Sequence, residues 1–196
     1  MASSSSRAEE VLLEAAKFFS ERGFEGTTVG EISSATGLTK GGLYHYIKSK
    51  EDLLYQIMCF AMKGLEENVV RPVTAIADPE EQLRQLVKLH IGQIAAAKGI
   101  LTILSEETQS LTPEHRKDIL RYKREHYEFV RDILQRLRKQ DRLRTEVDTT
   151  VATFSILGMI LFFARWYRAD GRMSSERIGE EIASLALNSI LSSAKG

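Results

Sequence analysis

Residues 39–50, TKGGLYHYIKSK, hold three lysines (Lys40, Lys48 and Lys50), no acid, and the ring-bearing run Tyr44-His45-Tyr46 behind the adjacent pair Gly41-Gly42. Lysines focused on one short element, beside rigid rings with polar tips, suit phosphates and base edges better than bond-making chemistry. The glycine pair should cost a helix interior roughly 1 kcal/mol per residue relative to alanine. Its presence implies a backbone that must come very close to another surface. Thr28 and Thr39 fall at helix starts, where backbone N–H groups face outward toward an anion. Catalytic constellations do not appear. The chain has no H-E-x-x-H, no G-x-S-x-G, no Walker loop and no dinucleotide glycine pattern. His90, His115 and His126 have no i,i+3 or i,i+4 histidine or cysteine partner of the kind a metal site on one helix uses, so neither a metal nor a cofactor is predicted.

The elements that must carry these residues read as helices throughout. Only three prolines occur in 196 residues, 43% of the chain is hydrophobic, and no run alternates at period two for long enough to form a strand. Ser6-x-x-Glu9 opens a first helix that Gly23 stops, after a disordered Ser3–Ser6 start. Thr28-x-x-Glu31 opens a short one closed by Gly37, and Thr39 starts another, giving helices at about 28–35 and 40–46. Ser49-x-x-Asp52 begins a long helix to about Val70, before Pro72. Asp78-Pro79 and Thr112-Pro113 are caps with proline at the first helical position, the second leading to about Gln140. Asp148 and Ser174 or Ser175 begin the last two helices, which Gly171 separates.

Composition narrows the class further. Basic and acidic residues balance at 27 each, and residues 1–55 carry six basic against eight acidic, so the +3 of residues 39–50 is a focused charge on an otherwise acidic segment. The lone Cys59 rules out an internal disulfide framework and reads as a small buried hydrophobe. The N-terminus lacks an apolar signal region, and the apolar run 151–164 is shorter than the roughly 20 residues a membrane span needs. A cytoplasmic protein without a membrane role is expected.

Two short, closely coupled helices joined through Gly37 have the geometry of a helix-turn-helix, whose second helix enters a DNA major groove. Ile32, Ala35, Leu38, Leu43 and Ile47 are available for its small core. The stretch AAKFFSERGFEGTTVGEISSATGLTKGGLYHYIKSKEDLLYQIM resembles, over about residues 8–58, the N-terminal domain of TetR-family transcriptional regulators. The resemblance implies an all-α homodimer: a three-helix helix-turn-helix domain (1–50) fused to a larger helical effector-binding and dimerisation domain (51–196). It implies that Thr28, Thr39, Lys40, Gly41, Tyr44, His45 and Lys50 match positions that touch DNA. Lys48 is open between a phosphate contact and a solvated lysine, and Leu43 and Tyr46 read as core.

The remaining residues are read from physics first. The segment 151–163 is apolar on nearly every face, and the last helix adds Ile178, Ile182, Leu185, Leu187 and Ile190. Together they suggest a four-helix bundle made by two copies across a two-fold axis. Candidate effector-lining residues are Met58, Met62, Leu101, Leu104, Tyr122, Phe129, Phe162, Arg165 and Trp166, with Arg165 suited to an anionic head group. The string RWYRADG at 165–171 looks like the matching segment of TetR-type regulators of fatty-acid and sterol-fragment catabolism, which respond to acyl-coenzyme A. Arg121, Lys123, Arg124 and Arg131 are available to phosphates, but i,i+3 and i,i+4 acids account for them as ion pairs. The expected function is a repressor released from a palindromic operator by a small hydrophobic effector, with an acyl-CoA or a plain hydrophobic metabolite as its class. The alternative is a helical small-molecule-binding protein or enzyme with no DNA role.

Overall fold

The computed structural model describes residues 4–96, 100, 103 and 107–192, with side chains from residue 7. Leu101 and Leu104 lie outside that set. The described helices are α1 (Ser4–Arg22), α2 (Val29–Ala35), α3 (Lys40–Leu43), α4 (Lys50–Leu65), α5 (Arg71–Thr74), α6 (Pro79–Ala96), α7 (Pro113–Lys139), α8 (Thr149–Trp166) and α9 (Ser175–Ile190). Among the described residues the only extended pairing is a single bridge between Leu143 and Leu191, so the all-α expectation holds. The chain forms two compact units, one of residues 1–63 with 97–120 and one of residues 64–96 with 121–196.

Local sequence rules set most helix ends. The Thr28 hydroxyl accepts the Glu31 N–H while Glu31 accepts the Thr28 N–H, a closed capping box. Asp78, Thr112, Asp148 and Ser174 accept an N–H three residues on, at 2.9, 3.3, 2.9 and 3.3 Å. Gly23 and Gly37, at φ of 75° and 66°, supply the left-handed residue that ends α1 and turns α2 toward α3. Two boundaries depart from expectation. Helix α1 begins at Ser4, so Ser6 lies inside the helix instead of capping it. Pro72 does not end the long helix. A π-helical turn, Glu66–Val70, widens the spiral just before it, and the helix resumes as α5 with the proline in its first turn. A proline has no N–H to give, and the looser turn lets the chain pass it without a terminus.

In the second unit α9 lies along α6. Gly179 permits the approach, since a Cβ there would stand 3.4 Å from the Lys88 Cα and 3.6 Å from Ile91. Ile178, Leu187 and Ile190 are buried within this chain, which corrects their assignment to an interface between copies. Of that group only Leu185 is exposed, at 65%. Arg142 bonds both Asp78 and Glu80, and it holds the Asp78 carboxyl below its usual range.

Helix α8 is longer than the apolar run suggested. At 18 residues and mean hydropathy 1.4 it meets, by length and composition alone, the requirement for a membrane span. Its burial shows a divided helix. Ala152, Thr153, Ile156, Ile160 and Phe163 are covered by the chain, while Val151, Phe154, Leu161, Phe162 and Trp166 are 41–66% exposed.

Candidate functional site

The first unit builds the recognition element with few residues. Ile32, Leu43 and Ile47 are buried at its centre, with Leu38 half-buried. Ala35, expected in that core, is exposed on the outer face of α2. Two bonds lock the turn: Leu38 N–H donates to Ser33 O at 3.0 Å, and the Ser33 hydroxyl returns to Leu38 O at 2.5 Å. Helix α3 is only four residues of α-helix, tightened at its end by Tyr46 N–H on Leu43 O at 2.9 Å.

On this frame Thr28, Thr39, Lys40, Gly41, Tyr44, His45 and Lys48 are all exposed. Thr28 and Thr39 are working caps, so their hydroxyls serve the helices first. Thr39 Oγ1 accepts Gly42 N–H at 3.0 Å. Glu31 stays ionised into the acid range because the Thr28 N–H, then the Thr28 hydroxyl and Arg22, hold its carboxyl below the usual value. Tyr46 is half-buried, in keeping with a packing role.

The two glycines turn out to differ. A Cβ on Gly42 would sit 3.2 Å from Thr39 Oγ1 and 3.8 Å from the Leu38 Cβ, so the chain itself explains that glycine. A Cβ on Gly41 would meet nothing nearer than Thr39 Oγ1 at 4.0 Å. Neither residue is among the positive-φ glycines. Among the described residues nothing around Gly41 calls for glycine.

Lys50, expected at a phosphate, is placed otherwise. Its ammonium donates to Phe24 O at 2.9 Å and Thr27 O at 3.1 Å and stands 4.1 Å from the centre of the Phe24 ring. It ties α4 to the α1–α2 connection. The same connection is held from the other side, where Glu107 accepts the Phe24 N–H at 3.0 Å. Further along α4, Tyr55 stacks on His115 at 3.9 Å and donates its hydroxyl to Asp118 at 3.2 Å. Cys59 is half-buried and burial pushes its thiol up, which keeps it protonated.

The effector-lining candidates separate. Met58 is fully buried and Met62 half-buried on α4 in the first unit. Tyr122 and Phe129 are half-buried on α7 in the second, with the Arg121 guanidinium 4.4 Å from the Tyr122 ring. Phe162 and Trp166, by contrast, belong to the exposed stripe of α8 and do not face an interior, and Arg165 is exposed beside them. Their apolar surface matches Val151 and Phe154 about two to four turns earlier on the same helix. Two of the expected ion pairs of α7 are present: Arg121–Glu125 at 3.0 Å and Arg131–Glu128 at 2.5 Å.

One pair was missed. His90 on α6 and His126 on α7 face each other edge to face, with centroids 5.1 Å apart. All four ring nitrogens are shut off from solvent and have no hydrogen-bond partner among the described residues, and His90 is 2% exposed. Burial drives both imidazoles toward the neutral form, His126 down to about 4 and His90 well below its usual value. An unmatched buried polar group costs about 1–3 kcal/mol, so this is an expensive arrangement. Nothing in the sequence flags it, because the two residues sit on separate helices.

Comparison with known proteins agrees with the geometry. Residues 11–57 match the model of the bacterial regulatory proteins of the tetR family, and residues 77–190 match the tetracyclin repressor-like C-terminal domain. The transcriptional repressor KstR2 of Mycolicibacterium smegmatis is 26% identical over 96% of this chain and 92% of its own length. The crystal structure of AibR in complex with isovaleryl coenzyme A and operator DNA is 36% identical, with a TM-score of 0.84 over 91% of this chain and 97% of that one. The ketosteroid transcriptional regulator KstR2 of Mycobacterium tuberculosis is 25% identical with a TM-score of 0.89, covering 98% of each chain. With both halves of the chain matched and the helix-turn-helix built as described, this protein belongs to the TetR family of bacterial transcriptional regulators.

Proposed function

We propose that this protein is a dimeric repressor that leaves a palindromic operator when a small hydrophobic effector binds, the effector being an acyl-CoA of fatty-acid or sterol catabolism. The observation that carries the DNA half of this reading is Gly41, an exposed glycine whose absent side chain is explained by nothing in the chain itself. Residues 1–50 read DNA through Thr39, Lys40, Gly41, Tyr44 and His45, with Thr28 and Lys48 beside them. Residues 51–196 bind the effector and dimerise. The exposed α8 stripe and Leu185 form the contact between copies, which gives Phe162 and Trp166 a role in assembly. Arg165 is the candidate cation for the charged head group.

The acyl-CoA assignment is supported by two likenesses: to AibR, whose structure contains isovaleryl coenzyme A with operator DNA, and to KstR2, named for ketosteroids. A mobility-shift assay with the DNA flanking the protein's own gene tests the reading, run against a panel of acyl-CoAs, free CoA and free fatty acids. A shifted complex dissolved by a thioester, and not by CoA or acid alone, is the expected result. A complex that no thioester dissolves would leave a neutral hydrophobic metabolite as the effector class, and no shifted complex at all would remove the DNA role.

A further inference from the structure

His90 and His126 hold four ring nitrogens away from solvent and from any hydrogen-bond partner among the described residues, where α6 meets α7. Native chains leave such groups unmatched at sites where something else supplies the partner. On α7, His126 shares one helical face with Tyr122 and Phe129, at i−4 and i+3, both half-buried. The same face carries Val130 at i+4 and the half-buried Lys123 at i−3, so the surroundings are largely apolar and aromatic with a few polar groups, the composition of a small-molecule site. Among the described residues no third metal-ligating group joins the pair, which leaves a hydrogen-bonding role.

We infer that His90 and His126 are the polar contact of the effector site, and that they donate ring N–H groups to a neutral carbonyl oxygen on an otherwise apolar ligand. This rests on the effector-responsive reading above and names the functional group recognised. A neutral imidazole carries one donor and one acceptor, and two of them offer a carbonyl both of its hydrogen bonds. A carboxylate fits the two rings less well, because burial favours their neutral form and they bring no charge to offset its own. The specificity follows. A site that must satisfy buried polar groups rejects a ligand lacking the matching atom far more strongly than one missing a methylene.

The test compares dodecanoyl-CoA, its S-dodecyl-CoA thioether (the same tail and head without the carbonyl), and 2-tridecanone. Binding is read by calorimetry and DNA release by mobility shift, in wild type, His126→Phe and His126→Gln. In wild type the thioester should bind at least about tenfold more tightly than the thioether. His126→Phe should erase that gap, and His126→Gln, which restores an N–H donor, should recover part of it. Folding of each variant is checked by circular dichroism and thermal melting. An equal thioester-to-thioether gap in wild type and His126→Phe overturns the histidine assignment and leaves the acyl-CoA reading standing. Binding and release by 2-tridecanone with neither CoA compound active overturns the acyl-CoA reading and supports the carbonyl contact. Absence of binding by every carbonyl probe overturns both.

Discussion

Replacing Gly41 by alanine should move stability and DNA affinity in opposite directions. The added methyl meets no heavy atom nearer than Thr39 Oγ1 at 4.0 Å, so the folded protein accommodates it without rearrangement. Gly41 lies within α3 at an ordinary negative φ, where alanine restricts the unfolded chain and gains about 0.4–1 kcal/mol. For a domain of this size that raises the melting temperature by roughly 1–4 °C. At the DNA surface the same methyl occupies the space the backbone needs, and a loss of at least about tenfold in operator affinity is expected, or 1.4 kcal/mol. Gly42→Ala is the control of opposite character. Its methyl would press on the Thr39 hydroxyl at 3.2 Å and loosen the cap, so stability should fall by about 1 kcal/mol. Thermal melts and fluorescence-anisotropy titrations on both variants give all four numbers. A Gly41→Ala protein that melts higher and binds its operator as tightly as wild type would refute the close-approach argument. One that melts lower would show that the space around Gly41 is not open.

Lys50→Ala removes two charge-assisted bonds to backbone carbonyls and should destabilise the protein by about 1.5–3 kcal/mol while the salt slope of DNA binding stays unchanged; a slope lower by about one per half-site would return Lys50 to a phosphate. Leu185→Glu or Leu161→Glu, both on exposed positions, should give monomers by sedimentation and lower operator affinity more than about tenfold, and a dimer that survives both would move the interface elsewhere. The neutral histidine pair should make the fold acid-sensitive. Both folded values lie below the unfolded one, so the stabilisation is complete above about pH 6.5 and is lost as pH falls toward 4, at up to about 1.4 kcal/mol per pH unit per histidine. Denaturant melts of wild type and His126→Phe across that range should diverge, and parallel curves would mean His126 is not held neutral.

The helix ends that could be read from sequence are those whose causes are local. Thr28, Asp78, Thr112, Asp148 and Ser174 each cap through a bond three residues away, a distance the sequence states directly. The helix-turn-helix was legible for the same reason, since its turn glycine, caps and lysines fall within 25 neighbouring positions of one segment, 28–52. What could not be read depends on partners far along the chain. Ile178, Leu187 and Ile190 look no different in sequence from Leu185, and only the packing of α9 on α6 sorts the covered residues from the exposed one. Pro72 was read as a stop because a wide turn that rescues it has no composition of its own. Lys50 looked like one more basic residue of the DNA face until its carbonyl partners, on the other side of the helix-turn-helix, came into view.

The path of the chain between the two histidines suggests how an effector is felt at the DNA. His90 lies on α6 and His126 on α7, and residues 97–120, which run from the end of α6 into the first two turns of α7, fall in one compact unit with the helix-turn-helix. Their described contacts within that unit include Glu107 on the Phe24 N–H and the His115–Asp118 face on Tyr55 of α4. Lys50 holds the same Phe24 connection from α4. On the reading proposed above, a ligand oxygen held by His90 and His126 would bridge α6 and α7, and the chain that runs between them carries the Glu107 bond to the Phe24 N–H and the Tyr55 contacts through which it would be felt at the α1–α2 connection. Two net hydrogen bonds are worth about 1–3 kcal/mol, enough for a shift of roughly 5- to 150-fold between binding-competent and incompetent dimers. That range is sufficient for release without the ligand touching DNA, provided it prefers the dimer whose recognition helices miss successive major grooves.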